Sequence, residues 1–345
     1  MRVTISDVAK VANVSTSTVS RVIADSSRIS KNTRDRVLKV MSEMNYYPNI
    51  IARSLANKST KIIGVVIPGS TEKALQHPFF NQILRGIATA AQENKYNILI
   101  SNVSEESEEL RAIKEMANGG IAEGIVLLSS RVNDLSIAEL KKISFPFVVL
   151  GRPEEQDMVN WIDNDNYESG YELAKHFIHL GHRRLAFIGV SKEYIVTLDR
   201  LEGYKKALIE NGIAVDDSLI VESKFTEDSS CEMVKKLMAL EFPPTGIIAC
   251  DDPLALGAIK ALRENCHKVP DDVAVAGFNN VPLADYFTPS LTSVDVRPFE
   301  LGTNAYELLM RTIKNTTGMY ENVIVKSEIV VRNSTLKSMQ CLESI

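Results

Sequence analysis

The sequence predicts an α/β protein with an N-terminal helix-turn-helix headpiece and a two-lobed body built on two doubly wound parallel sheets. Residues 1–60 contain three short amphipathic helical patterns, each preceded by a capping residue. From residue 61, apolar runs of strand length alternate with segments of helical periodicity, and this series starts again near residue 160. Such alternation is typical of parallel sheets covered by helices.

The first sixty residues predict a helix-turn-helix followed by a third helix. Thr4 and Asp7 have the spacing of a capping box, so a first helix begins there. Ser15 is placed to cap a second helix and Ser30 a third. In a helix-turn-helix, the N-terminal residues of the second helix face base edges in the major groove. The residues at or near that position are Thr16, Ser17, Thr18, Ser20 and Arg21.

The charge distribution supports contact with DNA independently of the helical pattern. Residues 1–60 contain ten Lys and Arg against four Asp and Glu, a net of +6, whereas the rest of the chain has a net of −11. This asymmetry is expected when only one end of a chain meets phosphate. The alternative, a solvated charged face, is disfavoured once the helical pattern is considered.

Composition sets the limits for the rest of the chain. With 345 residues, 45% hydrophobic and 24% charged, the chain has room for two or three domains. It starts without an apolar signal segment, and no apolar stretch reaches the roughly 18 residues of a membrane span. We therefore expect a cytoplasmic protein without membrane contact. The four cysteines show no CxxC spacing, which favours free thiols over disulfides or a metal site: Cys231, Cys250, Cys266 and Cys341.

The body is predicted element by element from the period of its apolar residues. The predicted strands are 62–67, 96–100, 124–128, 147–151, 184–189, 246–250 and 273–278. The predicted helices between them are 80–94, 105–118, 167–180, 200–211, 228–240 and 253–264, with one more short helix before residue 147. Around 270 residues is large for a single sheet, and we therefore predict two lobes.

A cleft between two such lobes is the expected ligand site, because open parallel sheets bind ligands beyond the carboxyl ends of their strands. The candidate contacts are the residues at predicted strand ends: His77 to Phe80, Gly151 and Arg152, Arg200, Asp251 and Asp252, and Phe278 to Asn280.

Four sequence blocks follow one another near the N-terminus: Thr4-Ile5-Ser6-Asp7-Val8-Ala9, Val14-Ser15-Thr16-Ser17-Thr18-Val19-Ser20-Arg21-Val22, Asn45-Tyr46-Tyr47-Pro48-Asn49 and Ala52-Arg53-Ser54-Leu55. In this order they resemble the headpiece of the lactose-repressor/galactose-repressor family of bacterial transcription regulators. The resemblance, which runs on to about Asn333, implies a DNA-binding headpiece over residues 1–47 and a hinge helix with linker over residues 48–60. The DNA-binding residues that it implies are Thr4, Ser15, Thr16, Ser17, Thr18, Ser20, Arg21, Asn49, Ala52 and Leu55.

The hinge helix implied by the resemblance covers residues 49–57. An isolated helix this short is marginal in water, so it is expected to order when two copies meet over the operator's minor groove. There Leu55 would wedge between the central base pairs and kink the DNA. Ala52 would allow close helix approach, and Asn49 would help to position the hinge.

The body resembles a periplasmic sugar-binding protein of the two-lobed type, and in the family this fold binds the effector and dimerises. The family's chain crosses between the lobes three times. The resemblance therefore implies a body over residues 61–335. Its first lobe would comprise residues 61–160 and 291–319, and its second lobe residues 161–290 and 320–335.

The effector contacts implied by matching positions are Arg200, Asp251 and Asn279, and Phe79, Trp161 and Phe278 could add apolar walls. Each has a structural alternative, because Asp251 or Asp252 could cap a helix and Arg200 could be a surface ion-pair partner. Phe80 is interpreted as core. The sequence departs from the lactose-responding branch at Gly151, where that branch has an acid.

The segments 77–80 and 159–166 most resemble the maltose-operon repressors of Gram-positive bacteria. Aromatic rings that stack on pyranose faces, together with mixed donors and acceptors, suit sugar hydroxyls. Maltose or a short maltodextrin is therefore the expected inducer. Another sugar, a nucleobase or a protein corepressor remains the alternative.

Other classes of function lack their sequence signals. There is no phosphate-binding Walker loop, no nucleophile elbow, no zinc-protease motif and no dinucleotide fingerprint after the first strand, so neither an enzyme nor a cofactor is expected. A solute-binding transport protein would leave the headpiece unexplained. His176, His179 and His182 end one predicted helix, where a structural role is favoured over a metal site.

A homodimer at a palindromic operator is the expected assembly, because helix-turn-helix dimers place their two-fold axis on the dyad of the DNA. The tail after Asn333 has twelve residues and no heptad repeat. We therefore predict a dimer without the tetramer-forming coiled coil of one branch of the family.

Overall fold

The fold is described by a computed structural model, which covers residues 3–24, 26–47, 59–68, 76–103, 105–223, 227–314 and 318–336. It confirms the predicted class, a helical headpiece and an α/β body with two parallel-dominated sheets. The hinge residues Asn49, Ala52 and Leu55 lie outside the described residues, as does Cys341.

The headpiece contains the three predicted helices: α1 (Ile5–Val11), α2 (Thr16–Ile23) and α3 (Lys31–Glu43). Thr4 caps α1 in a capping box with Asp7, while Ser15 and Ser30 cap α2 and α3 by accepting a backbone N–H three residues on. These caps satisfy amides that helix starts leave unpaired. The helices share a small apolar core: Val8, Ala9, Ala12, Val19, Val22, Val37 and Val40.

Each lobe of the body is built on one six-stranded sheet. The first lobe contains β1 (Ile62–Pro68), β2 (Asn97–Val103), β3 (Ile125–Leu127), β4 (Phe147–Leu150), β5 (Asn160–Asp163) and β11 (Asn322–Ile324), all parallel, in the spatial order β11-β5-β4-β3-β1-β2. The second contains β6 (Leu185–Gly189), β7 (Ile220–Glu222), β8 (Gly246–Ala249), β9 (Ala274–Phe278), β10 (Thr292–Asp295) and β12 (Glu328–Val330), in the order β12-β10-β9-β8-β6-β7. Among the described strands of this sheet, only β12 runs antiparallel to its neighbour.

The helices cover both faces of each sheet. Those of the first lobe are α4 (Pro78–Glu93), α5 (Glu106–Asn118), α6 (Leu135–Lys142) and α12 (Pro298–Lys314). Those of the second lobe are α7 (Asn166–His179), α8 (Ile195–Glu210), α9 (Glu227–Met238), α10 (Asp252–Glu264) and the short α11 (Leu283–Tyr286). In the first lobe, α4 and α12 share one core with the sheet, and α5 and α6 share another on the opposite face. Burial on both faces explains why its central strands are continuously apolar.

The predicted lobe boundaries differ from the sheets at three strands. β5, which contains Trp161, pairs with β4 and therefore belongs to the first lobe, although the boundary was placed at residue 160. β10 pairs with β9 in the second lobe, and β11 pairs with β5 in the first, so both lie in the lobe opposite to the one predicted. The physical reason is that strand pairing, rather than the restart of the sequence pattern, decides membership. The second lobe begins with α7, after β5, and therefore one strand later in the chain than predicted.

The helices α4 and α12 touch backbone to backbone. A Cβ on Gly86 would lie 2.2 Å from the carbonyl oxygen of Phe299, and one on Gly302 would lie 2.2 Å from that of Ile83. Neither distance is compatible with a side chain, so glycine is required at both positions. The two helices therefore form one rigid layer on the first lobe.

We predict that Gly86→Ala lowers the free energy of unfolding by about 1–3 kcal/mol, because the added methyl group must force the two helices apart. Urea denaturation followed by circular dichroism measures this. The matched control is Ala88→Ser on the exposed face of the same helix, which should change stability by less than about 0.5 kcal/mol. Equal effects of the two substitutions would contradict the close contact.

Candidate functional site

A cavity of about 200 Å³ lies between the lobes, at the carboxyl ends of their strands. From the first lobe it is lined by His77, Phe79, Phe80, Leu128, Ser129, Ser130, Leu150, Gly151, Asp163, Asn164 and Leu301. From the second lobe it is lined by Val190, Tyr194, Val196, Thr197, Arg200, Cys250, Asp251 and Asn279. Two sheets thus contribute to one site, as the sequence predicts for a two-lobed body.

Arg200 supplies a buried positive charge at the base of the cavity, with only 6% of the residue exposed. Its Nε donates to Asn166 Oδ1 at 2.9 Å, and its Nη1 donates to the carbonyl oxygen of Cys250. The guanidinium carbon lies 4.2 Å from the ring centroid of Phe278, a cation–π contact. Burial lowers the pKa of Arg200, and the carboxylate of Asp163 opposes this shift. The arginine is therefore a fixed donor and not a surface ion-pair partner.

Asp163, at the end of β5, is the acid that the first lobe places in the cavity. It accepts hydrogen bonds from the backbone N–H of Arg152 at 2.8 Å and from the side-chain amide of Asn166 at 2.9 Å. Burial raises the pKa of Asp163 to about 6, although these hydrogen bonds and Arg200 favour the charged form.

His77 and Asp251 connect the two lobes across the cavity. The backbone N–H of Phe79 donates to Nδ1 of His77 at 3.3 Å, so His77 caps α4 with an unprotonated nitrogen. Its proton then lies on Nε2, which donates to Asp251 Oδ2 at 3.1 Å. Asp251 also accepts the backbone N–H of Leu254 at 2.9 Å and so caps α10. The cap and cavity interpretations of Asp251 are thus compatible with each other.

Further contacts between the lobes lie beside the cavity. Arg152 forms a bidentate ion pair with Asp199, with nitrogen–oxygen distances of 2.9 and 2.6 Å. Next to it, the backbone of Arg131 pairs antiparallel with that of Tyr194. A paired Arg–carboxylate fork gives directional as well as electrostatic attraction. These contacts therefore join the two lobes in addition to the hydrogen bond between His77 and Asp251.

Two buried hydroxyl groups in the cavity wall have no hydrogen-bond partner among the described residues. They are Ser130 Oγ from the first lobe and Thr197 Oγ1 from the second. A buried hydroxyl without a partner costs free energy, on the order of 1–3 kcal/mol. A ligand that offers hydroxyl groups to both would remove this cost and bridge the lobes.

Four of the six proposed effector contacts line the cavity: Phe79, Arg200, Asp251 and Asn279. Trp161 does not, because the alternation along β5 turns its side chain into the core beneath α5 and α6. Phe278 does not either, since it is fully buried in the second lobe's core and meets Arg200 rather than the cavity. Both assignments as direct cavity walls are therefore corrected. Phe80, which was interpreted as core, packs against the core of the first lobe and also lines the cavity.

Several lining residues were not predicted from the sequence, among them the polar residues Asp163, Ser130 and Thr197. Asp163 ends a buried strand, and that position could have marked it as it marked Asp251. The two hydroxyl residues carry no such signal, because serine and threonine are equally common in loops and helices. Gly151 has a φ of 115°, a conformation that disfavours any side chain, including the acid of the lactose-responding branch.

The headpiece presents the predicted DNA-reading residues on one surface. Thr16, Ser17 and Arg21 are exposed, and Thr18 and Ser20 are half-buried. The hydroxyl of Ser15 lies 2.8 Å from that of Ser17 and 2.9 Å from that of Thr18. The hydroxyl groups of Ser17 and Thr18 are thus already hydrogen-bonded within the headpiece. Thr16 and Arg21 are therefore the candidates for direct base contact.

Two of the three histidines at or just after the end of α7 contact threonines. His176 Nε2 lies 3.0 Å from Thr335 Oγ1, and His182 Nδ1 lies 2.9 Å from Thr245 Oγ1. In the described part of the chain, no group of three His, Cys, Asp or Glu residues could hold a metal ion. None of its helices is both long and apolar enough to span a bilayer.

Two family models match this chain. The model for bacterial regulatory proteins of the lacI family covers residues 4–49, and that for a periplasmic binding protein-like domain covers residues 174–335. The HTH-type transcriptional regulator MalR of Streptococcus pneumoniae is 38% identical over 320 residues, which are 91% of this chain and 94% of that protein.

The solved structures that resemble nearly the whole chain include two regulators with bound ligands. The complex of the transcriptional regulator CelR with cellobiose is 29% identical, with a TM-score of 0.76 over 96% of this chain and 100% of that one. The lac repressor dimer bound to operator and the anti-inducer ONPF is 25% identical, with a TM-score of 0.87 over 98% of this chain and 100% of that one.

We predict that protonation of Asp252, directly behind the cavity, makes stability depend on pH. The side chain is buried between Ser293 and the backbone N–H of Val281, and burial raises its pKa from 3.8 to about 8. The folded chain thus keeps a proton that the unfolded chain loses near pH 4. The free energy of unfolding should therefore fall as pH rises towards 8, by at most about 1.4 kcal/mol per pH unit.

Urea denaturation of the wild type and Asp252→Asn between pH 6 and 9 measures this. The unfolding free energy of the wild type should fall relative to that of the variant as the pH rises to about 8. Above pH 8 the difference between the two proteins should stay constant. Asp163→Asn is the matched control, because the pKa of Asp163, about 6, confines its own effect to lower pH. A difference that is constant from pH 6 to 8 would contradict the assignment.

Proposed function

This chain belongs to the lacI family of bacterial regulatory proteins, and on that premise we propose that maltose or a short maltodextrin is its effector. It is a DNA-binding transcriptional repressor with a periplasmic binding protein-like domain, rather than an enzyme. We further propose that it acts as a homodimer on a palindromic operator. Sugar binding would release the operator.

The observation that carries the sugar proposal is a pair of cavity-wall residues from opposite lobes, Ser130 and Thr197, whose buried hydroxyl groups have no hydrogen-bond partner among the described residues. Sugars present many hydroxyl groups that both donate and accept, so they suit unpaired hydroxyls in a wall. Arg200 adds donors and Asp251 adds acceptors. A nucleobase would offer fewer such groups.

The apolar part of the cavity supports a pyranose. The rings of Phe79 and Phe80 lie at its first-lobe side, with centroids 5.3 Å apart and planes inclined by 65°. Apolar walls combined with a few placed polar groups are typical of small-molecule sites. MalR is the relative that points to maltose, and the CelR complex shows a disaccharide bound by a protein of the same fold.

Control of DNA binding would follow from the position of the cavity between the lobes. A ligand can weaken operator binding only by as much as it prefers the DNA-free arrangement of the lobes. We propose that the sugar changes this arrangement and moves the two hinge segments, which include Asn49, Ala52 and Leu55, apart. Leu55 would then leave its wedge position in the minor groove.

A dimer surface is available on the first lobe. β2 is the edge strand of its sheet, and Leu99 and Ile100 on that strand are 37% and 46% exposed. On the second lobe, Leu283 and Tyr286 of α11 are also exposed. We propose that a second copy covers both patches, since exposed edge strands with apolar side chains tend to be paired or covered.

Calorimetric titration with a panel of maltose, maltotriose, cellobiose, ribose and purines, followed by operator gel shifts, tests the effector. Maltose or maltotriose should bind and should weaken the operator complex. Binding of purines alone would overturn the sugar assignment. A sugar that tightens the operator complex would be a corepressor and would refute induction. Binding of another sugar would replace maltose as the effector.

We predict that Thr197→Val lowers sugar affinity by about five- to tenfold, which corresponds to one neutral hydrogen bond. Stability should stay the same or rise, because the shape is kept and an unpaired buried hydroxyl is removed. Calorimetry and urea denaturation measure the two effects.

Thr292→Val is the matched control. The hydroxyl of Thr292 is buried and bonded to the backbone of Arg332, with distances of 3.0 and 2.8 Å. Its removal should lower stability and leave sugar affinity unchanged. If Thr197→Val behaves in the same way, Thr197 does not bind the effector.

We predict that Arg21→Ala relaxes base preference at one symmetric base pair in each half-site, because a bidentate arginine–guanine contact discriminates by about 1–3 kcal/mol. Selection from randomised palindromes reads out the preference. Arg36→Ala, which removes an exposed charge from α3, should weaken binding without changing the preferred sequence. An unchanged preference in the Arg21 variant would refute its role in base reading.

A further inference from the structure

A hydrogen-bond network surrounds Glu123 at the amino ends of the first-lobe strands, on the side of the sheet opposite the cavity. Glu123 Oε1 accepts the backbone N–H of Lys61 at 2.8 Å and also accepts the hydroxyl of Ser59. Its Oε2 accepts the hydroxyl of Tyr96 at 2.8 Å. Ser59 is the first described residue after the segment that joins the headpiece to the body. Glu123 therefore holds the chain where the body begins.

Lys61 shows that the direction of the chain is fixed at this point. Its φ of 55° is in the left-handed region, which costs a non-glycine residue energy and needs support from its surroundings. Support comes from both sides of the residue, because its N–H donates to Glu123 and its carbonyl accepts the N–H of Asn97 at 2.8 Å. Its ammonium group lies 4.4 Å from the ring centroid of Tyr96. Lys61 thus turns the chain into β1 at a defined angle.

The charged state of the Glu123 carboxylate is consistent with its role in holding the chain. Burial acts to raise the pKa of Glu123, yet the pKa is lowered overall because Ser59, Lys61 and Tyr96 donate hydrogen bonds to the charged form. Burial and the neighbouring carboxylate raise the pKa of Tyr96, so the phenol keeps its proton and remains a donor.

The anchor is connected to the cavity by α4. His77 and Phe79, at the start of this helix, line the cavity. The helix ends at Glu93, about 24 Å further on for sixteen residues, and Tyr96 donates its backbone N–H to Ala91 at 2.8 Å. The helix therefore starts at the proposed effector site and ends at the anchor.

The neighbouring helix α12 makes this connection stiff. Leu301 lines the cavity, and Tyr306 lies edge-to-face with Tyr96, with ring centroids 6.1 Å apart. The backbone contact at Gly86 and Gly302 locks α4 to α12 between these two ends. A displacement at the cavity is then passed on as a movement of the whole layer rather than absorbed by bending.

We propose that Glu123 is a positioning residue that anchors the operator-binding end of the chain to the first lobe, so that movement of α4 at the cavity reaches the headpiece. The sugar response of this device rests on the proposed function. The anchoring itself does not rest on the proposed function. It also limits the positions that the two headpieces of a dimer can take before they bind the two half-sites of the operator. Fewer positions mean a smaller ordering cost on binding.

The test is Glu123→Gln in the full-length chain, with an operator selected by the wild type. Operator affinity should fall by about tenfold, since the effective concentration of the second headpiece drops, while non-specific DNA binding changes little. Sugar affinity in calorimetry should stay within about twofold, because the substitution is remote from the cavity. Any weakening of the operator complex by sugar should be smaller than in the wild type.

Glu210→Gln is the matched control on the second lobe. Glu210 also accepts a tyrosine hydroxyl, that of Tyr171 at 2.8 Å, and pairs with a lysine, Lys206, at 3.1 Å. This variant should leave operator and sugar affinity unchanged. Tyr96→Phe is a milder second variant of the anchor. It removes one hydrogen bond and should therefore give a smaller loss of operator affinity. It provides the test if Glu123→Gln does not fold.

The outcomes separate the two proposals. The anchor proposal would be overturned if a folded Glu123→Gln variant bound the operator as tightly as the wild type and kept the full response to sugar. An equal loss in the Glu210 control would also overturn it, because the effect would then not be local. If no sugar affects the wild-type operator complex, the proposed effector is wrong. The loss of operator affinity in Glu123→Gln would still support the anchor in that case.

Discussion

The buried side-chain amide of Asn164 ties together the three segments that cross between the lobes. It follows β5 in the first crossing and donates to the carbonyl oxygens of Val296 and Val325, at 3.1 and 2.8 Å, in the second and third. Buried polar groups of this kind are costly unless fully paired, and here one amide satisfies two carbonyls. This contact holds the three crossing segments together. Asp163 precedes Asn164 in the chain, and Asn166, which accepts a hydrogen bond from Arg200, lies two residues after it.

Arg200 extends this constraint into the cavity. Its guanidinium is removed from water and held by an amide, a carbonyl and the face of Phe278, so it cannot turn away to pair elsewhere. A buried charge that is fixed in place favours ligands that accept hydrogen bonds without bringing a second charge of the same sign. Neutral polyhydroxyl ligands meet that requirement. Burial likewise raises the pKa of Asp163 to about 6 and that of Asp252 to about 8.

The fold class could be predicted because capping residues and apolar periodicity are local signals. Arg200 and Asp251 were found because they match the family's pattern at strand and helix ends. Trp161 and Phe278 were misplaced because a one-residue alternation decides which face of a strand meets the cavity. The lobe boundaries depend on the pairing of β5, β10 and β11, which is non-local. Ser130 and Thr197 matter only because the fold buries their hydroxyls without a partner, a property that no sequence pattern carries.

The central claim is that one cavity between the lobes binds the effector and that its occupancy is linked to operator binding. Linkage requires that the sugar weaken operator binding by the same factor by which operator weakens sugar binding. The direct measurement is calorimetric titration of the dimer with maltose, once free and once saturated with operator. The account predicts that maltose binds more weakly to the operator complex than to the free dimer. The factor should equal the one by which saturating maltose lowers operator affinity. Equal maltose affinity in the two states would contradict it.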